Sequence, residues 1–147
     1  GGARKLADLF SGCGTFALSL ARGGRKVHAV ESDAEQVAAL SQAARQAQLG
    51  GKLSTETRDL ERQPLFADEL SDYDAVVFDP PRAGAARQSA ELARSKVKLV
   101  VAVSCAPASF ARDARTLVDG GYKLISVQPI DQFVWSGAVE LVAVFRR

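Results

Sequence analysis

The sequence predicts an α/β protein built on a doubly wound, mixed sheet of seven strands. Three observations predict it. Short apolar runs rich in Val, Leu and Ala alternate with helix-period segments along most of the chain. Glycine pairs, Gly23-Gly24, Gly50-Gly51 and Gly120-Gly121, punctuate the ends of three of those segments. Two β-rich runs, Tyr122 to Ile130 and Val139 to Phe145, close the chain with no room for a helix between them, so they pair antiparallel. At 147 residues and 47% hydrophobic composition, the chain is the size of one domain with an ample core.

The elements follow in order. Lys5 to Phe10 reads as the first strand, and Thr15 to Arg22 as a helix offering Phe16, Ala17 and Leu20 for packing. Lys26 to Glu31 is the second strand. Asp33 caps the next helix, whose Val37, Leu40, Ala44 and Ala47 share one face, and Gly50-Gly51 ends it. A more polar third strand spans Leu53 to Thr57. Ala75 to Phe78 is apolar enough to be a central fourth strand. A helix over Gln88 to Arg94, a fifth strand over Lys98 to Val103 and a helix over Ala108 to Val118 complete the alternation. The first strand begins almost at residue 1, which reads as the C-terminal domain of something longer.

Charge and cysteine content narrow the class. A net charge of +2 advertises no strong field for a nucleic acid or a membrane. Cys13 and Cys105 form neither a disulfide framework nor a metal cluster, so no metal site is expected and a reducing cytoplasm is the simplest setting. No run reaches the roughly 18 apolar residues of a membrane span.

Ligands of doubly wound sheets sit beyond the carboxyl ends of the strands, so the residues there carry the functional reading. The first turn is Phe10-Ser11-Gly12-Cys13-Gly14-Thr15, where Gly12 and Gly14 permit a sharp bend and close approach to a ligand. Glu31 ends the second strand 19 positions after Gly12, where a carboxylate can bind both ribose hydroxyls. This pattern fits a nucleoside-bearing cofactor. Gly12-x-Gly14-x-x-Ala17 also satisfies the dinucleotide fingerprint with alanine third, so a nicotinamide cofactor stays open on this motif. Asp59, after the third strand, reads either as an acceptor for an adenine amino group or as a helix cap or solvated loop acid. Asp79-Pro80-Pro81-Arg82 ends the fourth strand, with two prolines fixing the backbone beneath a carboxylate. Arg82 suits a phosphate or a carbonyl-rich base. His28, mid-strand, reads as structural.

Ser104-Cys105-Ala106-Pro107 places a thiol between the fifth strand and a helix whose first turn accepts proline. The positive end of a helix dipole favours a thiolate, which suits a nucleophile, whereas a small buried core cysteine is the competing reading. Glu140 interrupts an apolar run where the last strand starts, so it lies either near the edge of the sheet or as an exposed acid on the hairpin.

Together these residues resemble the catalytic domain of the RNA uridine-5 methyltransferases, over nearly the whole chain. The resemblance rests on Asp8 to Phe16, Glu31, Asp79-Pro80-Pro81-Arg82, Val103 to Pro107, Phe110-Ala111-Arg112-Asp113, and Asp131-Gln132-Phe133 followed by Val139-Glu140. It implies the Rossmann-like class I S-adenosylmethionine-dependent methyltransferase fold and transfer of a methyl group to C5 of uridine in transfer or ribosomal RNA. It makes Cys105 the nucleophile and Glu140 the base. It places Phe10, Thr15, Glu31 and Asp79 around the cofactor, with Gly12 and Gly14 shaping the loop, Asp59 reading the adenine and Arg82 at the uracil or its phosphate. Two positions depart from the pattern: Ala106 stands where the family usually has asparagine, and Ala138 where a histidine commonly precedes the base. The family also carries an upstream RNA-binding region and a glutamine-containing cofactor motif, neither of which is in this chain. RNA contact is therefore expected mainly from that N-terminal region. An iron–sulfur cluster found upstream in some members has no ligands here.

Overall fold

The structure, a computed structural model, describes residues 2–130 and 140–147. Five parallel strands carry the alternation: β1 (Lys5–Leu9), β2 (Lys26–Glu31), β3 (Leu53–Thr57), β4 (Ala75–Phe78) and β5 (Leu99–Ser104). The helices between and after them are α1 (Thr15–Arg22), α2 (Ala34–Gln46), α3 (Ala67–Leu70), α4 (Ala86–Arg94) and α5 (Pro107–Asp119). The last two strands, β6 (Lys123–Ile130) and β7 (Glu140–Arg146), pair antiparallel, and β7 inserts between β5 and β6. The sheet order is β3-β2-β1-β4-β5-β7-β6, so the expected seven-stranded mixed sheet is what forms.

The chain winds outward from β1 to β3 and then returns to place β4 on the other side of β1. The crevice at that reversal, outside the carboxyl ends of β1 and β4, is where a doubly wound fold binds its ligand. Two hydrophobic clusters clamp the sheet. One joins Ala17 and Ala21 of α1 and Leu40 and Ala44 of α2 to Val27, Ala29 and Leu53. The other joins Leu92 of α4 and Leu117 of α5 to Val76, Phe78, Val100, Ala102, Ala143 and Phe145. β4 is buried along its whole length, in line with a central strand.

Several boundaries and contacts differ from the sequence reading. β1 stops at Leu9 because Phe10 turns into the left-handed region, φ 58°. Phe16 stays 37% exposed, and Ala17 and Ala21 make the buried face of α1 instead. Asp33 caps α2 as expected, accepting from the Glu35 and Gln36 amides. The helix nonetheless ends at Gln46, with Ala47 as C-cap and Gln48 at φ 57°, and Gly50-Gly51 belong to the next turn. α3 has no counterpart in the reading, since one turn of helix leaves no periodicity to detect. His28 bridges to β3 as a structural residue: Nδ1 pairs with Ser54 Oγ at 2.8 Å and Nε2 with Glu56 Oε2 at 2.9 Å.

Candidate active site

One end of the candidate site is built on the turn after β1. Ser11 N–H donates to the Val30 carbonyl, tying the loop to the end of β2. Gly12 N–H donates to Glu31 Oε1 at 3.1 Å, and the other Glu31 oxygen accepts from Asp33 N–H at 2.8 Å and Ser32 Oγ at 3.1 Å. Glu31 is therefore a carboxylate held in one orientation at the tip of its strand, half-buried. Gly12 and Gly14 both have positive φ, 59° and 90°. A Cβ on Gly14 would sit 2.2 Å from Leu40 Cδ1, so only glycine lets α1 start against α2.

Phe10, Glu31, Asp59, Asp79 and Pro81 share one open cleft of about 420 Å³ at the reversal point of the sheet. Gly14 and Thr15 lie outside that lining: Gly14 is buried against α2, and Thr15 opens α1 on an exposed face. Asp59 caps a turn rather than a helix, and it also lines the cleft. Its Oδ1 accepts from Glu61 N–H at 3.0 Å, which caps the turn, while the residue still borders the cleft. Arg58, beside it, donates to the Gln63 and Pro64 carbonyls and pairs with Glu69, which fixes the loop that carries Asp59.

The other end of the site lies at β4, β5 and β7. Cys105 is exposed, so the buried-core reading is set aside. Buried Ser104 accepts the Ala106 N–H at 3.1 Å, a turn that carries Cys105 out of the sheet edge. Pro107 opens α5. β5 and β7 remain paired to Ser104 and Leu141, so Glu140 stands one register step beyond Ser104's partner, on the level of Cys105. Glu140 thus starts an internal strand, half-buried, rather than riding on a lateral edge of the sheet. Asp79, half-buried, is pushed above the ordinary carboxylate range by burial and then by the nearby Glu140 carboxylate. Glu140 and Asp79 are therefore neighbours, and Cys105 follows the last β5 residue paired with β7. Asp131-Gln132-Phe133, Ala138 and Val139 fall outside the described residues.

Three side chains of α5 hold the Arg82 loop in place. Ser109 Oγ donates to the Arg82 carbonyl at 2.8 Å, Arg112 Nη2 donates to the Ala83 carbonyl at 2.9 Å, and Asp113 Oδ2 accepts Ala85 N–H at 2.7 Å. Arg112 also pairs with Asp113 Oδ1 at 3.0 Å. Gly84, φ 79°, is enclosed by this clamp. The Phe110-Ala111-Arg112-Asp113 stretch thus locks the exposed Arg82 to the helix that follows Cys105. Sequence reasoning assigned that stretch no task, because its partners lie about 28 residues away in sequence.

Asp8 was also missed. It is fully buried in β1 ahead of the Gly12–Gly14 turn, and neither oxygen accepts a hydrogen bond. Burial pushes its carboxyl up to about 7, and the Asp79 charge adds to this. The Ala17 N–H offsets part of it from outside hydrogen-bonding geometry.

A family model described as tRNA (uracil-5-)-methyltransferase matches residues 2–147. An uncharacterized RNA methyltransferase of Agrobacterium fabrum is 56% identical over all 147 residues. One of Caulobacter vibrioides is 51% identical over 146 residues. The chain spans 35% of the length of each of these relatives. Among solved structures, the Pyrococcus abyssi tRNA (uracil-54, C5)-methyltransferase in complex with S-adenosyl-L-homocysteine superposes with TM-score 0.84 at 30% identity. That match covers 97% of this chain and 34% of the other. The geranyl diphosphate C-methyltransferase of Streptomyces coelicolor superposes with TM-score 0.76 at 11% identity, over 98% of this chain and 72% of its own, and shares the fold alone. No helix among the described residues is long and apolar enough to cross a membrane.

Proposed function

The chain belongs to the tRNA (uracil-5-)-methyltransferase family, and from that premise we propose that it is the C-terminal catalytic domain of an enzyme that methylates C5 of uridine in transfer or ribosomal RNA. What supports this reading is the strand register: β5 ends at Ser104 and its partner β7 starts at Glu140, so Cys105 and Glu140 leave the same end of two paired strands, next to a cleft bordered by Glu31 and Asp79.

The cleft fits S-adenosylmethionine on its own chemistry. Glu31 presents an oriented carboxylate suited to ribose hydroxyls, Asp59 suits the adenine amino group, and Asp79 suits the cationic end of the amino acid. When bound, S-adenosylmethionine supplies an electrophilic methyl group on sulfonium.

The residues of the chain do the rest. C5 of uracil is a poor nucleophile, and Cys105 corrects this by adding as thiolate to C6, which turns the ring into an enolate. C5 then takes the methyl group. Glu140 removes the remaining C5 proton, the C5–C6 double bond re-forms and the Cys105 thiolate leaves. Arg82, whose loop is held by α5, suits the uracil carbonyls or a flanking phosphate. A uridine within folded RNA must be turned out of its stack to reach this edge. Nucleoside mass spectrometry of RNA from cells lacking the gene tests the reading. Loss of 5-methyluridine from one RNA is expected, and loss of a methylated cytosine or amine instead would reassign the target.

A further inference from the structure

The edge of the sheet opposite the catalytic one is a row of cations. Lys5 and Lys26 are register partners where β1 and β2 begin, and Lys52 immediately precedes β3. Lys123 and Arg146 are register partners at the far side, and Lys98 immediately precedes β5. Arg4, Lys96 and Arg147 flank them. Two depressions meeting at Tyr73 run along this edge, the larger of about 800 Å³. Among the described residues, none of these nine side chains pairs with a carboxylate.

The charge is unevenly shared. Among the described residues, nine of the 19 basic side chains and two of the 16 acidic ones, Asp72 and Asp74, lie on this rim, which leaves ten against fourteen elsewhere. Asp74 is engaged by its own chain, accepting the Arg4 and Lys5 amides at 2.9 Å each. The near-neutral net charge therefore conceals a basic rim and an acid-rich remainder.

We propose that this rim docks the phosphate backbone of RNA, as a second contact remote from the catalytic edge. The inference rests on the RNA reading above. Seven strands at about 4.8 Å spacing make the row about 29 Å long, and a six-residue strand sets it about 20 Å from Cys105. A folded RNA is long enough to bridge that distance. Lysine, six of the nine, binds phosphate as a point charge without reading bases. The rim therefore contributes affinity and orientation, while sequence choice stays with other surfaces.

The test uses the full-length protein and a labelled RNA hairpin of about 40 nucleotides. Lys26→Glu, Lys98→Glu and Lys123→Glu together should weaken binding at least tenfold near physiological salt. They should flatten the salt dependence of log K by about 2 to 3, at roughly 0.7–0.9 per released phosphate contact. The glutamine versions of the same three positions should give about half the effect. Binding of S-adenosylhomocysteine should not change. Unchanged affinity and slope overturn the proposal. So does a loss of thermal stability with RNA binding intact, which would mean that an acidic part of the protein itself, or the fold, uses the row. A parent protein that methylates no RNA, with the triple variant still flattening the slope, would keep the rim and remove the catalytic reading.

Discussion

Replacing Asp8 by asparagine should change how stability depends on pH. Asp8 lies in β1 with no exposed surface and no hydrogen bond to either oxygen, so its charged form is strongly disfavoured in the folded state. Its carboxyl is raised from 3.8 to about 7. A raised acid binds its proton in the folded chain while the unfolded chain has already lost it. Stability therefore falls as pH rises from about 4 to about 7, by about 1.36 kcal/mol per pH unit. The whole interval bounds the loss at about 4 kcal/mol. Asparagine mimics the protonated carboxyl and cannot ionise, so the variant should match the parent near pH 4 and exceed it increasingly toward pH 8. For a chain of this size the gap corresponds to an unfolding midpoint higher by about 10 °C at pH 8. Asp79, raised for the same kind of reason, leaves a shallower residual slope in both proteins. Thermal unfolding of ligand-free protein across pH 4 to 8 measures this directly. Parallel curves for parent and variant, or a variant that is less stable at pH 8, would refute the reasoning.

Three further outcomes follow from the site. Glu31→Ala removes the oriented carboxylate and should weaken S-adenosylhomocysteine by about 10- to 100-fold in calorimetry, as loss of charged hydrogen bonds to ribose implies. Gly84→Ala puts a Cβ 2.5 Å from Arg112 Nη2 and 2.7 Å from Asp113 Oδ2 at a positive φ. It should lower stability by about 1–3 kcal/mol in chemical denaturation and reduce methyl transfer through the displaced Arg82 loop. Glu140→Gln should lower kcat at least about 100-fold while allowing the thiol to add, so RNA covalently bound to protein should accumulate on denaturing gels.

The sequence is legible where chemistry is local. An apolar run ending at Ser104, followed by Pro107, locates the strand-to-helix turn at Cys105, and Asp33 announces its own helix. Glu31 is legible because its distance from Gly12 is fixed by one β-α-β unit. What the residues alone leave open depends on long-range register. Glu140 could be an exposed hairpin acid until β7 inserts between β5 and β6 and brings it level with Cys105. The hold of Arg112 and Asp113 on the Arg82 loop is likewise tertiary. Phe10 at φ 58° cannot be anticipated, since residues other than glycine seldom adopt that conformation. The charge asymmetry behind the basic rim is invisible in a net charge of +2 and emerges only when strand ends are aligned.

A covalent bond from Cys105 to C6 of uridine, with Glu140 taking the C5 proton, leaves a trappable intermediate. RNA carrying 5-fluorouridine at the target has no C5 proton to lose, so the covalent species should persist. Incubating the full-length protein with that RNA and S-adenosylmethionine should give a denaturation-resistant complex whose peptide map places the RNA on Cys105. Cys13→Ala should still form it and Cys105→Ala should not. Absence of the complex from an enzyme that methylates uridine, or full activity in Cys105→Ala, would contradict the account.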